Sequence, residues 1–215
     1  MGYLDVQWIH GSPNCMTNTD PPIQIHSYDE NSFILRQSKC IHYEAPFLYL
    51  LFGNDCVMLL DTGATADPIK FPIGDTVRSL ISNWVTQHNK EHSIPLIICH
   101  SHAHNDHAFG DDQFIGQDNV TIVPSNLSGI RHFFGFEHWP KQLSKLELGN
   151  RTLNVIPIPG HEGTDIAFYD RRTKLLFTGD TFYPGLLVVR NWEDYRTSID
   201  RLKHFADNHE IAFIL

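Results

Sequence analysis

His100-Ser101-His102-Ala103-His104-Asn105-Asp106-His107 packs four histidines and a carboxylate into eight consecutive residues. Neutral imidazole and carboxylate are the donors that a borderline divalent ion such as zinc accepts. In extended backbone, side chains two residues apart point the same way, so His102 and His104 can grip one ion together. Asp106 and His107 come where the chain would turn toward a helix and then face a neighbouring position. The spacing therefore suggests two metals side by side. A histidine cluster can also be a polar surface loop and nothing more, so the weight falls on what flanks it.

Immediately upstream, Ile94 to Cys99 is a short continuous apolar run, which predicts a strand buried on both faces that delivers the chain into the cluster. Downstream, Pro159-Gly160-His161 follows a predicted strand ending at Ile158, and Thr178-Gly179-Asp180 follows one ending at Phe177. Each puts a ligand-type side chain at a strand end beside a glycine that permits a sharp turn. Further upstream, a strand ending at Leu60 runs into Asp61-Thr62-Gly63, placing another carboxylate at the end of a sheet. Separate strand ends converging on one rim are hard to obtain by chance.

The combined pattern, H-x-H-x-D-H, a histidine after Pro-Gly and an aspartate after Thr-Gly, resembles the metallo-β-lactamase superfamily, from about Phe47 to the end of the chain. The resemblance implies an α/β fold, the αββα sandwich of two mixed sheets flanked by helices. It implies that His102, His104 and His161 hold a first metal, that Asp106 and His107 belong to a second, and that Asp180 bridges the two. Asp61 would orient the ligands. The cofactor implied is zinc, two ions per chain, with iron or manganese as alternatives. The family's last metal ligand is a histidine just after the final strand, and this chain stops at Leu215 inside what should be that strand, Ile211 to Leu215. Either the chain is a fragment of a longer protein, its C-terminal end incomplete, or the second metal has lost one ligand.

Two divalent ions ~3.5–4 Å apart can share a water and lower its pKa toward ~7. Solvent made nucleophilic in this way would attack a carbonyl carbon, with Asp106 as the catalytic group that orients the water or passes its proton to the leaving group. The expected activity is hydrolysis of an ester, thioester, lactone or amide of a small molecule. Tyr183, three residues past Asp180, is a candidate substrate-binding hydrogen-bond donor. Glyoxalase II-like thioesterases and lactonases share an aspartate at the bridging position, whereas zinc β-lactamases place a cysteine in the second metal's shell, so Asp180 argues against antibiotic hydrolysis. The alternatives are an oxidoreductase like the mononuclear-iron persulfide dioxygenases of the same fold, and an inactive truncated member.

The rest of the chain supplies the frame. Apolar segments Ser32 to Arg36, Phe47 to Phe52 and Cys56 to Leu60 predict strands, the last two joined by a turn at Gly53-Asn54-Asp55. Val77, Leu80, Ile81, Trp84 and Val85 recur at helical spacing, predicting a helix from Asp75, its N-cap, to Asn89. Further strands are predicted at Val120 to Val123, Thr152 to Ile158, Asp165 to Tyr169 and Lys174 to Thr178, and a helix from Trp192 to about Ala206. The opening through Pro22 reads as irregular. Phe133 to Pro140 is an aromatic-rich stretch that could be a substrate wall or part of the core. His100 stands outside the family pattern, and His204 and His209 read as solvent-facing.

With 215 residues, no linker and no repeat, one domain spanning 1–215 is expected. The net charge of −9 and the lack of a dense Lys/Arg run argue against nucleic acid as a partner, and with it a nuclease. Neither a secretory signal nor a membrane span is visible, so a cytoplasmic location is expected, with a small-molecule substrate and no membrane partner. Cys15, Cys40, Cys56 and Cys99 lie far apart, which suits reduced thiols. The glycosylation-type tripeptides at Asn119, Asn126 and Asn150 carry no meaning without export.

Overall fold

The structure, a computed structural model, describes residues 2–215. Its internal contacts divide the chain into two compact units. One runs to Cys99 and takes up His104–Ile122; the other consists of His100–Ala103 and Val123–Leu215.

The first unit is built on a six-stranded sheet in which the strands stand in chain order: β1 (Ile23–Asp29), β2 (Ser32–Gln37), β3 (Phe47–Phe52), β4 (Val57–Leu60), β5 (Leu96–Cys99) and β6 (Val120–Ile122). β1 to β4 form an antiparallel meander, whereas β4, β5 and β6 run parallel. The switch follows from connection length. Loops without a helix join the meander, while parallel neighbours need a crossover, which between β4 and β5 is the helix α1 (Ile73–Gln87). Strand β1 has no counterpart in the sequence expectations. Its burial is confined to Ile23 and Tyr28, so polar residues dilute the apolar signal of this edge strand.

The first helix corrects the expected N-cap. α1 begins at Ile73 after Pro72, which makes no side-chain capping bond. The Gly74 N–H instead donates to Gln113 Oε1 at 3.0 Å, a partner from far along the chain that local spacing could not reveal. Asp75 falls inside the first turn, where its charge suits the positive end of the helix, and pairs with Arg78 at 2.5 Å. The helix buries Ile73, Val77, Ile81 and Trp84 against Leu35, Leu50, Phe52, Leu59 and Ile98 of the sheet. Each such aliphatic side chain contributes roughly 1.5–3 kcal/mol. Trp84 also stacks on Phe52 and donates its indole N–H to Asn31 Oδ1 at 2.7 Å.

Cys15 and Cys40 form a disulfide, which overturns the expectation of four reduced thiols; Cys56 and Cys99 remain free. The pairing was hidden because 25 residues separate the two in sequence, whereas the N-terminal segment folds back along β1 and the β2–β3 loop. Along that path the Ile9 N–H donates to Gln24 Oε1, Gln24 Nε2 donates to the Gln7 carbonyl, and Trp8 packs edge-on against Phe47. Among the described residues, no helix is long and apolar enough to cross a membrane.

The second unit carries a five-stranded sheet of β7 (Ser144–Glu147), β8 (Thr152–Pro157), β9 (Ile166–Asp170), β10 (Leu175–Phe177) and β11 (Phe213–Ile214), in the order β11-β10-β9-β8-β7. Only β10 and β11 are parallel, and the helix α4 (Trp192–Asp207) makes their crossover. Asn191 caps α4, accepting from the N–H groups of Glu193 and Asp194. Leu202 and Phe205 of α4 pack on Ile156, Ile158, Tyr169 and Leu176. The aromatic stretch lies around the end of an unanticipated helix, α3 (Leu127–Phe134), capped by Asn126 and ended by Gly135. Its Phe134 and Phe136 are buried, with Phe134 against Phe168, so for these two residues the core role holds. Arg151, just before β8, and Asp170, at the end of β9, form a buried ion pair at 2.6 Å.

Candidate metal centre

In the first unit the site starts where β4 ends. Asp61 has φ +63°, a left-handed conformation that is costly for a residue with a Cβ, and its side chain is buried. The backbone there is held from two sides: the Asp61 N–H donates to the Cys99 carbonyl at 2.9 Å and the Thr62 N–H to the His107 carbonyl at 2.8 Å. His104 is extended and is followed by a short helix, α2 (Asn105–Ala108), that carries Asp106 and His107. His107 Nδ1 donates to Asp61 Oδ2 at 2.8 Å, so Nε2 is the nitrogen this ring turns toward Asp106. That Nε2 lies 3.2 Å from Asp106 Oδ2. Burial raises the Asp106 carboxyl, but the hydrogen bond and charge of His107, with His104 nearby, outweigh it and hold the group below the ordinary carboxylate range.

In the second unit, Ser101 and His102 are joined to β9 by a hydrogen bond from the Ile166 N–H to the Ser101 carbonyl at 2.9 Å. Ser101 Oγ lies 3.0 Å from His102 Nδ1. His161 follows Gly160, whose φ is +147° and where a Cβ would come within 2.4 Å of the Tyr195 backbone. His161 Nδ1 donates to the Val188 carbonyl at 2.7 Å, turning Nε2 toward Asp180, whose Oδ2 is 3.8 Å away. The His161 ring meets His102 edge to face at 4.9 Å between centroids. Gly179, before Asp180, has φ +50°, and a Cβ there would meet Ser101 Cβ at 2.7 Å. The glycines of both downstream motifs thus serve turn conformation and close approach together.

Two triads of ligand atoms result. One atom each from His102, His104 and His161 lie within 4.8 Å of one another, and so do one each from His102, His107 and Asp180. These are arrangements able to hold a metal ion, and the donor set fits one chemically. His161 Nδ1 and His107 Nδ1 are each engaged as donors by a carbonyl or carboxylate, so Nε2 is the nitrogen each ring would offer a cation. Asp106 stands outside both triads, beside His107. Asp61 sits behind His107. His100 is buried at the end of β5. Tyr183 is exposed, and its hydroxyl donates to the Leu186 carbonyl at 2.7 Å.

Asp165 escaped the sequence analysis, which took it only as the start of a strand. It is buried, its Oδ2 accepts from the Glu162 N–H at 2.6 Å, and it braces the turn that presents His161. Burial, with the charges of Glu162 and Asp180 nearby, pushes its carboxyl up to about 8 against the backbone N–H groups that lower it. The one sequence signal was an acidic residue opening an otherwise apolar strand.

Comparison with known proteins agrees with this geometry. Residues 45–210 match the family model of the metallo-beta-lactamase superfamily. The acyl-coenzyme A thioesterase MBLAC2 of Gallus gallus is 28% identical over 153 residues, covering 56% of this chain and 55% of that protein. The hydroxyacylglutathione hydrolase of Nostoc punctiforme is 32% identical over 125 residues, covering 54% and 48%. The chain thus spans about half the length of these curated relatives. A solved metallo-beta-lactamase from Pontibacter korlensis superposes with a TM-score of 0.60 at 17% identity, covering 90% of this chain and 89% of that one, and shares its fold. With the motif, the two mixed sheets and the model match in agreement, the chain belongs to the metallo-β-lactamase superfamily.

Proposed function

We propose that the protein is a metal-dependent hydrolase of small-molecule thioesters. The observation that carries this reading is the pair of ligand triads sharing His102. Both relatives bear the names of enzymes that act on thioesters, since an acyl-coenzyme A and a hydroxyacylglutathione each join an acyl group to sulfur. Ester, lactone and amide bonds are the neighbouring substrates.

In this reading His102, His104 and His161 hold one ion, and His107 and Asp180 with Asp106 hold a second; zinc fits the imidazole and carboxylate donors. When bound, such ions supply Lewis acidity toward a carbonyl oxygen and acidify solvent near neutral pH. The protein's own groups do the positioning. Asp61 keeps the proton of His107 on Nδ1, and the Val188 carbonyl does the same for His161. Asp106, its carboxyl lowered by its histidine neighbours, would accept a proton from solvent and return it to the departing thiol.

The test is hydrolysis of acetyl-coenzyme A, a long-chain acyl-coenzyme A and S-lactoylglutathione by metal-loaded and chelator-treated protein. Turnover that is lost on chelation and restored by zinc supports the proposal. Equal rates with and without metal, or no turnover of any thioester, would refute it.

A further inference from the structure

The loop that follows Asp180 is unusually apolar for its exposure. Phe182-Tyr183-Pro184-Gly185-Leu186-Leu187-Val188 contains no charged residue. Phe182, Tyr183, Leu186, Leu187 and Val188 are all exposed, Leu186 to 81%, and Trp192 at the start of α4 is exposed to 62%. Elsewhere in the chain exposed large apolar residues are more scattered; here six fall within eleven residues. Exposed apolar side chains concentrated in this way are characteristic of binding surfaces.

The loop is also held in place. Its stem is pinned by bonds from Thr178 Oγ1 to the Phe182 carbonyl at 2.5 Å and from the Tyr195 hydroxyl to the Thr181 carbonyl at 2.9 Å. The tip is closed by Tyr183 on the Leu186 carbonyl. Its return is tied to the Gly160 carbonyl by the N–H groups of Arg190 and Asn191, and its Val188 carbonyl accepts from His161 Nδ1. The apolar side chains therefore begin one hydrogen bond away from a ligand of the candidate metal centre. The Tyr183 ring lies over Gly185, where a Cβ would come within 2.2 Å of it, which fixes the tip while Leu186 and Val188 stay exposed.

We propose that this loop is the acyl-chain subsite, and that the preferred substrate is a thioester of a long, unsubstituted fatty acid. This rests on the thioesterase reading and deepens it. A small hydroxyacyl group would leave the apolar side chains in water, whereas an alkyl chain leaving the scissile carbonyl can lie along them and bury them. The reaction is hydrolysis: the carbonyl C–S bond breaks, a C–O bond to water forms, and the products are a fatty carboxylate, a thiol and a proton.

The test is a chain-length series of acyl-coenzyme A substrates, from acetyl to palmitoyl below the micellar limit, with metal-loaded wild type, Leu186→Ser/Leu187→Ser and Trp192→Ser. Alongside it, S-alkyl coenzyme A thioethers, which cannot be hydrolysed, are titrated by tryptophan fluorescence on wild type and the leucine double variant. The expected result is a KM and a thioether Kd that fall with chain length in the wild type. The ratio of palmitoyl to acetyl kcat/KM should drop at least ~10-fold in the double variant, as loss of two apolar contacts implies. Turnover without chain-length dependence in rate or binding would overturn the subsite and leave the thioesterase standing. Chain-length-dependent thioether binding, weakened in the double variant, with no turnover of any thioester would do the reverse. Concentration-dependent self-association of the wild type, abolished in the double variant and unaccompanied by chain-length dependence, would reassign the loop as a face between copies and overturn the proposal.

Discussion

Asp61 shows how much of the site depends on one residue. It occupies a backbone conformation that glycine would adopt more cheaply, yet its carboxylate fixes the tautomer of His107 at 2.8 Å. Asp61→Ala should therefore weaken metal binding about 10–100-fold, as loss of a ligand-orienting partner does. Asp61→Asn, which can still accept from Nδ1, should weaken it less. Competition against a chromophoric chelator measures both, and equal affinity in wild type and Asp61→Ala would refute the role. At this scale the sequence was highly legible. Histidines and aspartates at strand ends declare themselves by type and spacing, and five of those so picked out, His102, His104, His107, His161 and Asp180, supply the atoms of the two triads. Asp165 did not declare itself, because its role depends on burial and on a turn that bends the Glu162 N–H back to it.

At the scale of elements, the turns that present the ligands are as constrained as the ligands. Gly179→Ala combines a positive φ with a Cβ at 2.7 Å from Ser101 Cβ, next to His102. It should cost about 1–3 kcal/mol and loosen metal binding, measured by denaturant unfolding with and without zinc; an unchanged midpoint would count against the packing described. Arg151→Ala leaves the buried Asp170 carboxylate without its ion-pair partner and should cost about 3–5 kcal/mol in the same assay. Elements with a strong period, such as α1 and α4, were legible, although α1 draws its first-turn partner from Gln113 and not from a local cap. β1, β7 and the helix Leu127–Phe134 were not. Two are strands whose polar positions dilute the apolar pattern, and the third hid inside an aromatic run that reads as core without showing a period.

For the whole molecule, the disulfide is the feature furthest from the sequence expectation. Cys15–Cys40 closes a loop that ties the N-terminal segment to the β2–β3 connection, and cross-links of this span typically contribute about 2–4 kcal/mol. Denatured, unreduced protein should show two titratable thiols, Cys56 and Cys99, and four after a dithiol reductant, with a lower midpoint of unfolding once reduced. Four thiols before reduction would contradict the pairing. Superfamily membership, by contrast, could be read from the motif alone, because ligand type, glycine placement and strand-end position all carry the same constraint.

The proposed activity stands or falls with a metal ion held by His102, His104 and His161. The most direct measurement is metal content by mass spectrometry on purified wild type and His104→Ala, with circular dichroism confirming that the variant is folded. At least one bound zinc per wild-type chain is expected, and its loss in a folded variant. Equal metal content in the two proteins would contradict it.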